Sequence, residues 1–310
     1  MPHVSLIRWG GVLGATLFLA SMVPAAPFDK TFWDHWGDGK AEVSGYELTF
    51  PRYGELRQGT AVLIFVTEPF SDSKRVKADP GKNPKSDEFQ VMKLNVVRDF
   101  PTGVYDYNLM TSVFLGLEPF GGKGLRGQQA AGTPAKISFS AQEWCGQVYE
   151  QALFRKDSVN TLWHSYFDGE ADGNSQLPFP EKGASEDALF LWARGWANPR
   201  LNPGETRDVP LLLSLVTSRL NHTPLVWKNT KLSRGLTSES IKVPAGTFAA
   251  EVWTAETEGG PAWTFHVEAV APHRILKWTT SEGEQGLLKK SERLPYWKRN
   301  GSQWNSRIEE

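Results

Sequence analysis

The residues of this chain that could do covalent chemistry start with its single cysteine, Cys145, in Trp144-Cys145-Gly146. The tripeptide matches half of a thioredoxin-type Trp-Cys-Gly-x-Cys site, but Val148 stands where the second cysteine belongs, so dithiol exchange is excluded. A lone nucleophilic thiol needs a base and a depressed pKa. The nearest histidine in sequence, His164, is expected opposite about Gln151 in a hairpin, roughly 20 Å along the strand from Cys145. His35, His222, His266 or His273 would have to approach through the fold, so Cys145 reads as a buried structural residue.

Carboxylates alternate in Asp168-Gly169-Glu170-Ala171-Asp172-Gly173-Asn174, as in the first half of a calcium loop, where a glycine turn lets such groups converge. Asp168, Glu170 and Asp172 are therefore the calcium candidates. The twelfth position is Phe179 instead of a bidentate Glu and no helices flank the segment, which favours a solvated acidic turn. The histidines include no His-x-His or His-x-x-x-His pair, so zinc has no local ligand set, and there is no Gly-x-Ser-x-Gly elbow. Gly122-Lys123-Gly124-Leu125-Arg126-Gly127 has the letters of a dinucleotide fingerprint without a surrounding βαβ unit, and reads as a flexible loop. No cofactor is expected. Tyr105 and Tyr107 share a strand face with Leu109 and, with Trp144 and Cys145, are the candidate ligand-binding residues.

The elements that must position these groups are mostly strands. Phe28, Phe32 and Trp36 recur at four-residue spacing before Gly37 and Gly39, predicting a short amphipathic helix. Strands are expected over 42–50 and 60–68, joined by a polar link through 52–59, and over 91–99 and 104–115 across Phe100-Pro101-Thr102-Gly103. Residues 71–88 read as a long exposed loop and 116–134 as irregular. The segment 145–155 is expected to pair with 160–167. A helix is expected over 186–196, where Leu189, Phe190, Trp192, Ala193 and Trp196 recur at mixed three and four spacing. From 209 onward strands are expected over 209–218, 225–232, 239–243, 248–257, 263–270, 274–280 and 286–294, the rhythm of an antiparallel sheet or barrel-like wrap. Trp263, Phe265 and Val267 alternate with Thr264, His266 and Glu268, which places His266 on a polar face. The fold class is thus mostly β: a large curved antiparallel sheet or partly open barrel with one or two short helices.

Arg8, the apolar run from Trp9 to Met22 and Val23-Pro24-Ala25 have the order of a secretory signal cleaved after Ala25, so residues 1–25 are expected to be a signal peptide. The apolar run is shorter than the roughly 20 residues that cross a bilayer core, so no transmembrane segment is expected in the mature chain. The remaining residues, 26–310, number about 285, enough for a single β-rich domain or for two packed lobes dividing near 170–208. The 34 Lys plus Arg nearly balance 35 Asp plus Glu with no basic block, so nucleic acid is not an expected partner. One cysteine closes no intramolecular disulfide, and stability in an oxidising compartment must come from packing.

Two stretches, Tyr53-Gly54-Glu55-Leu56-Arg57-Gln58-Gly59-Thr60-Ala61 and Thr102-Gly103-Val104-Tyr105-Asp106-Tyr107, together with Glu143-Trp144-Cys145-Gly146-Gln147, resemble an uncharacterised family of exported bacterial proteins that carries the label septum formation inhibitor Maf. The resemblance spans most of the mature chain and implies an exported, β-rich protein with no established activity. The enzymes properly called Maf are cytoplasmic α/β nucleotide pyrophosphatases. Lys242-Val243-Pro244-Ala245-Gly246-Thr247-Phe248 resembles the turn of another uncharacterised exported family, and such domains are distantly similar to periplasmic lipoprotein and lipid carriers. The expectation is a periplasmic or extracellular envelope protein that binds a hydrophobic ligand, a lipid or acylated chain, without catalysis. Two alternatives remain: a hydrolase or transferase on envelope glycans or lipids, using Cys145 or acids near Glu47, Glu68 and Asp106, and a structural partner in an envelope assembly.

Overall fold

The computed structural model describes residues 28–122, 128–304 and 308. The expected signal peptide and residues 123–127 of the glycine-rich loop lie outside the described residues.

The chain folds as successive antiparallel hairpins. The first, β1 (Ala41–Arg52) with β2 (Glu55–Ser71), turns on two residues, Tyr53 and Gly54, whose φ values of 56° and 75° give the turn that matches strand twist. Residues 55–59, expected as part of a polar link, are therefore strand, with Arg57 opposite Phe50 and Gly59 opposite Leu48. The exposed loop expected after β2 also carries structure. It contains β3 (Val76–Lys77), paired with the end of β2, and buries Arg75 and Ala78, because Arg75 packs over the Phe120 ring and pairs with Asp72.

Four further strands, β4 (Glu88–Thr102), β5 (Tyr105–Gly116), β6 (Pro134–Glu143) and β7 (Gly146–Phe154), continue the meander to β8 (Ser158–Ser165) and β9 (Asp172–Pro178). In the β7–β8 pair His164 lies opposite Tyr149, and Gln151 opposite Leu162, so the expected register is two residues out: the turn begins at Arg155. The second half comprises β10 (Ala184–Ser185), β11 (Thr206–Leu212), β12 (Trp227–Val243), β13 (Gly246–Thr257), β14 (Ala262–Glu268), β15 (Ile275–Thr280) and β16 (Gln285–Leu294). The strand expected over 209–218 stops at Leu212, because Ser214 caps a helix, and the strands expected over 225–232 and 239–243 are one strand, β12, with an irregularity between Arg234 and Ser238.

These sixteen strands form one open sheet, ordered β10 to β16, then β1, β2 and β4 to β9, with β3 attached to β2. Every pairing is antiparallel except that of β10 with β11. The protein is mostly β with short helices, as its alternating patterns require. The flanks bend toward each other: Phe179, just after β9, lies 5.8 Å from Trp227 at the start of β12, ring to ring.

Among the described residues three α-helices pack on this sheet. Helix α1 (Lys30–Trp36) is capped by Asp29 and buries Phe32 and Trp36. The segment expected as a helix over 186–196 is a 3₁₀ turn, Glu186–Ala188, followed by α2 (Leu189–Ala193). All five α2 residues are buried, which explains their mixed spacing: the helix sits among the sheet's inward side chains, with Phe190 edge-on to Trp263, Phe265 and Trp278. Just after α2, Arg194 is buried between the rings of Phe65 and Trp196 and forms a bidentate pair with Glu42 on β1, at 2.7 and 3.1 Å. Helix α3 (Leu215–Leu220) starts at the N-cap Ser214 and covers part of the sheet's inner face. Among the described residues no helix is long and apolar enough to cross a membrane.

Candidate functional site

Antiparallel order puts alternate turns at one end of the sheet. The β1–β2, β4–β5, β6–β7, β8–β9, β13–β14 and β15–β16 tips share that rim, and the β11–β12 connection carrying α3 crosses it. Arg52, at the end of β1, anchors the crossing by donating to the Leu220 carbonyl at 2.9 Å. Cavities lie on either side of α3.

On one side is a cavity of about 90 Å³ whose walls include Arg98, Glu186, Asp187, Trp263 and Glu284. Its buried acids serve the fold. Glu186 accepts from the Ser214 N–H and the Trp263 indole, both at 2.9 Å, and Asp187 accepts from the Ser214 hydroxyl and the Leu215 N–H. The bonds from the Ser214 and Leu215 N–H groups satisfy donors that a helix start leaves without partners. Burial still pushes the Glu186 carboxyl up to about 7 and the Asp187 carboxyl upward. Glu284 is held by Arg98 and by the Trp278 indole, each at 2.9 Å.

On the other side a cavity of about 330 Å³ opens between α3 and the inner faces of β7 to β9, with Glu150, Trp163, Glu170, Arg219 and His222 among its walls. Glu150 shares the inward face of β7 with Val148, Ala152 and Phe154 and is 1% exposed. Arg219, from α3, reaches it at 2.8 Å and reaches Glu170, in the β8–β9 turn, at 3.2 Å. Both contacts are ionic without a well-directed hydrogen bond: Arg219 Nε, Glu150 Oε2 and Glu170 Oε2 are buried with no hydrogen-bond partner. His222 Nδ1 lies 2.7 Å from Glu170 Oε1. The Trp163 ring is held by its indole N–H on the Glu170 carbonyl, 3.3 Å, and lies against Gly173, where a Cβ would come within 2.3 Å of the ring.

The two carboxyls are driven apart. Burial raises that of Glu150 to about 7 against the opposing pull of Arg219. For Glu170 burial also acts upward, but hydrogen bonds from Ser165 and His222 and the Arg219 charge outweigh it and hold it below its ordinary value. The site thus offers a carboxyl that changes charge near neutrality, a fixed carboxylate, a guanidinium and an aromatic wall.

The sequence candidates gather beside this cavity. Tyr107 is buried, shares a 2.6 Å hydrogen bond with Tyr53, accepts from Arg52 at 3.1 Å and stacks on Phe100. Tyr105 lies 6.0 Å from Tyr107 and 6.1 Å from Trp144, ring to ring, so Tyr105, Tyr107 and Trp144 form one aromatic row. A small cleft lined by Tyr107, Gly146, Phe167, Arg219 and His222 joins the row to the cavity. Cys145, expected to be buried, is exposed, because the β6–β7 turn carries it out on the tip. The adjoining Glu143 raises its thiol pKa, contrary to what an activated nucleophile needs.

The calcium candidates diverge. Glu170 turns inward to Arg219 and His222, Asp172 pairs with His164 at 3.1 Å, and Asp168 stays in solvent. Glu68 is held by Lys93 at 3.0 Å, while Glu47 and Asp106 face solvent on other strands, so those acids form no common site. Sequence reasoning misses Glu150, Trp163 and Arg219 as site residues, and takes His222 only as a distant base for Cys145. For Glu150 the signal was present: a carboxylate at an inward position of an alternating strand. Compared with family models, curated proteins and solved structures, the chain matches none of them.

Proposed function

We propose that this protein is an exported, non-enzymatic binding protein whose ligand is a small hydroxyl-rich molecule, of the size and polarity of an envelope sugar, held between α3 and β7–β9. The observation that carries this reading is the charged wall of the cavity: Glu150, Glu170 and Arg219 are paired ionically at 2.8 and 3.2 Å, yet Glu150 Oε2, Glu170 Oε2 and Arg219 Nε make no well-directed hydrogen bond within the protein. Buried charges gain from well-directed hydrogen bonds beyond their ion pairs, and ligand hydroxyls, which both donate and accept, fit carboxylate and guanidinium together. The Trp163 ring supplies an apolar wall for the C–H face of a sugar ring.

An acyl chain has less support. The inner face of the sheet is filled by side chains such as Phe190, Trp192 and Leu215, and both cavities flanking α3 have charged residues in their walls.

The test is calorimetric titration of the detergent-free protein with N-acetylglucosamine, N-acetylmuramic acid, glucose and galactose, alongside palmitate. At least one sugar should bind with a Kd between about 1 µM and 1 mM. Arg219→Gln should weaken it at least about tenfold, equivalent to about 1.4 kcal/mol. Saturable palmitate uptake with no sugar binding would replace this reading with the apolar one.

A further inference from the structure

The same end of the sheet carries a second surface. On its tips the large apolar residues point outward: Val104 is 83% exposed, Trp144 76% and Tyr166 67%, with Tyr53 and Leu56 also exposed. Isolated exposed apolar residues are ordinary, but these are contiguous. Leu56 lies against Gly283 of the β15–β16 tip, Tyr53 bonds Tyr107 at the start of β5, Tyr105 adjoins Trp144 on the β6–β7 tip, and Tyr166 of the β8–β9 tip packs on Gly146. One apolar strip therefore crosses five successive turns.

The charge along the strip is mainly negative. Asp106, Glu143, Asp168 and Glu282 stand on tips that carry no Lys or Arg of their own. The cations on the β1–β2 tip are engaged: Arg52 with Leu220 and Tyr107, and Arg57 with Glu55 at 2.8 Å. A contiguous apolar strip edged by unbalanced carboxylates complements a partner that is both apolar and cationic. Tyr and Trp faces also attract ammonium and guanidinium groups. An anionic membrane surface would be repelled by the same carboxylates.

We infer that this rim, from the β15–β16 tip to the β8–β9 tip, is a docking surface for an extended segment of a partner protein in which lysine or arginine alternates with aromatic or aliphatic residues. The strip is preformed. The Tyr53–Tyr107–Arg52 cluster and the Tyr105–Trp144 contact fix its aromatic residues against strand ends, so little side-chain freedom is lost on binding. Complementary charge makes association sensitive to salt.

The experiment is fluorescence anisotropy of a labelled decapeptide of alternating lysine and tyrosine, with an alternating glutamate–tyrosine decapeptide as control. The full chain should bind the lysine peptide in the micromolar range at low salt, at least about tenfold more weakly at 0.3 M salt, and the glutamate peptide at least about tenfold more weakly. Two surface variants locate the contact: Asp106→Asn with Asp168→Asn and Glu282→Gln should weaken binding at least fivefold, and Leu56→Ser with Val104→Ser should do the same. These residues lie outside the Glu150–Arg219 cavity, so sugar binding should persist in both variants, and loss of one activity without the other separates the two proposals. Equal binding of the two peptides, unchanged affinity in both variants, or binding to phosphatidylcholine vesicles in place of the peptide would each overturn the inference. So would self-association of the chain through the rim, detected by light scattering and abolished by the Leu56→Ser, Val104→Ser variant, if the lysine peptide did not compete with it.

Discussion

Replacing Glu150 by Gln tests the electrostatics of the proposed site without reference to any ligand. In the folded chain the Glu150 carboxyl titrates at about 7, whereas in the unfolded chain it returns to 4.5. Between these values the native state keeps a proton that the unfolded state has released, so stability falls as pH rises through the window and levels off above about 7. At 1.36 kcal/mol per pKa unit, the loss is about 3 kcal/mol from this group alone. The Gln variant lacks the titration. Its stability relative to the native chain should therefore improve by about 3 kcal/mol between pH 4 and pH 8. Guanidinium unfolding followed by tryptophan fluorescence at pH 4, 5, 6, 7 and 8 gives the difference directly. The slope due to Glu186, also raised to about 7, is common to both proteins and cancels. A difference that stays constant with pH would refute the reasoning. It would mean that the attraction of Arg219 exceeds the cost of burial and keeps Glu150 ionised throughout.

Two further substitutions examine the frame around the site. Arg194→Met leaves Glu42 buried without its counter-charge and should cost about 3–5 kcal/mol at neutral pH, read as a fall in the unfolding midpoint. Ser214→Ala removes the cap whose side chain accepts from the Val216 N–H and should cost about 1 kcal/mol. It should also weaken sugar binding, because α3 carries Arg219, and an unchanged affinity would show that α3 is held by its other contacts alone.

The strands were legible where one face is buried and the other wet. Trp263, Phe265 and Val267 are buried on β14, and His266 sits on the opposite face beside Glu239, as the alternation required. What was not legible depends on turns and on distant partners. The polar residues 55–59 look like a loop because nothing local reveals that Tyr53-Gly54 completes the turn alone. The strand expected over 209–218 failed at Ser214, where a cap bound to Asp187, 27 positions earlier, competes with strand pairing. The aromatic row at Tyr105 and Trp144 could be nominated from composition and parity. The joining of Arg219 to Glu150, 69 positions apart in the numbering, comes from the bend of the whole sheet and leaves no local trace apart from a carboxylate at an inward position.

The place of β1 in the sheet bears on how the chain assembles. Its neighbours are β2, which follows at once, and β16, whose pairing joins Ala41 to Leu294 across almost the whole described chain. Closing so long a loop is slow compared with forming the local hairpins, so β1 is an open edge until the last strand arrives. An open edge of apolar strand invites pairing with another molecule. Glu42 lies on that strand among Ala41, Val43 and Tyr46, and until Arg194 reaches it, it holds an uncompensated charge against any apolar strand that adds to the edge. The carboxylate that fastens the finished core through Arg194 thus serves, during folding and before that pair forms, as a guard on the open edge of β1.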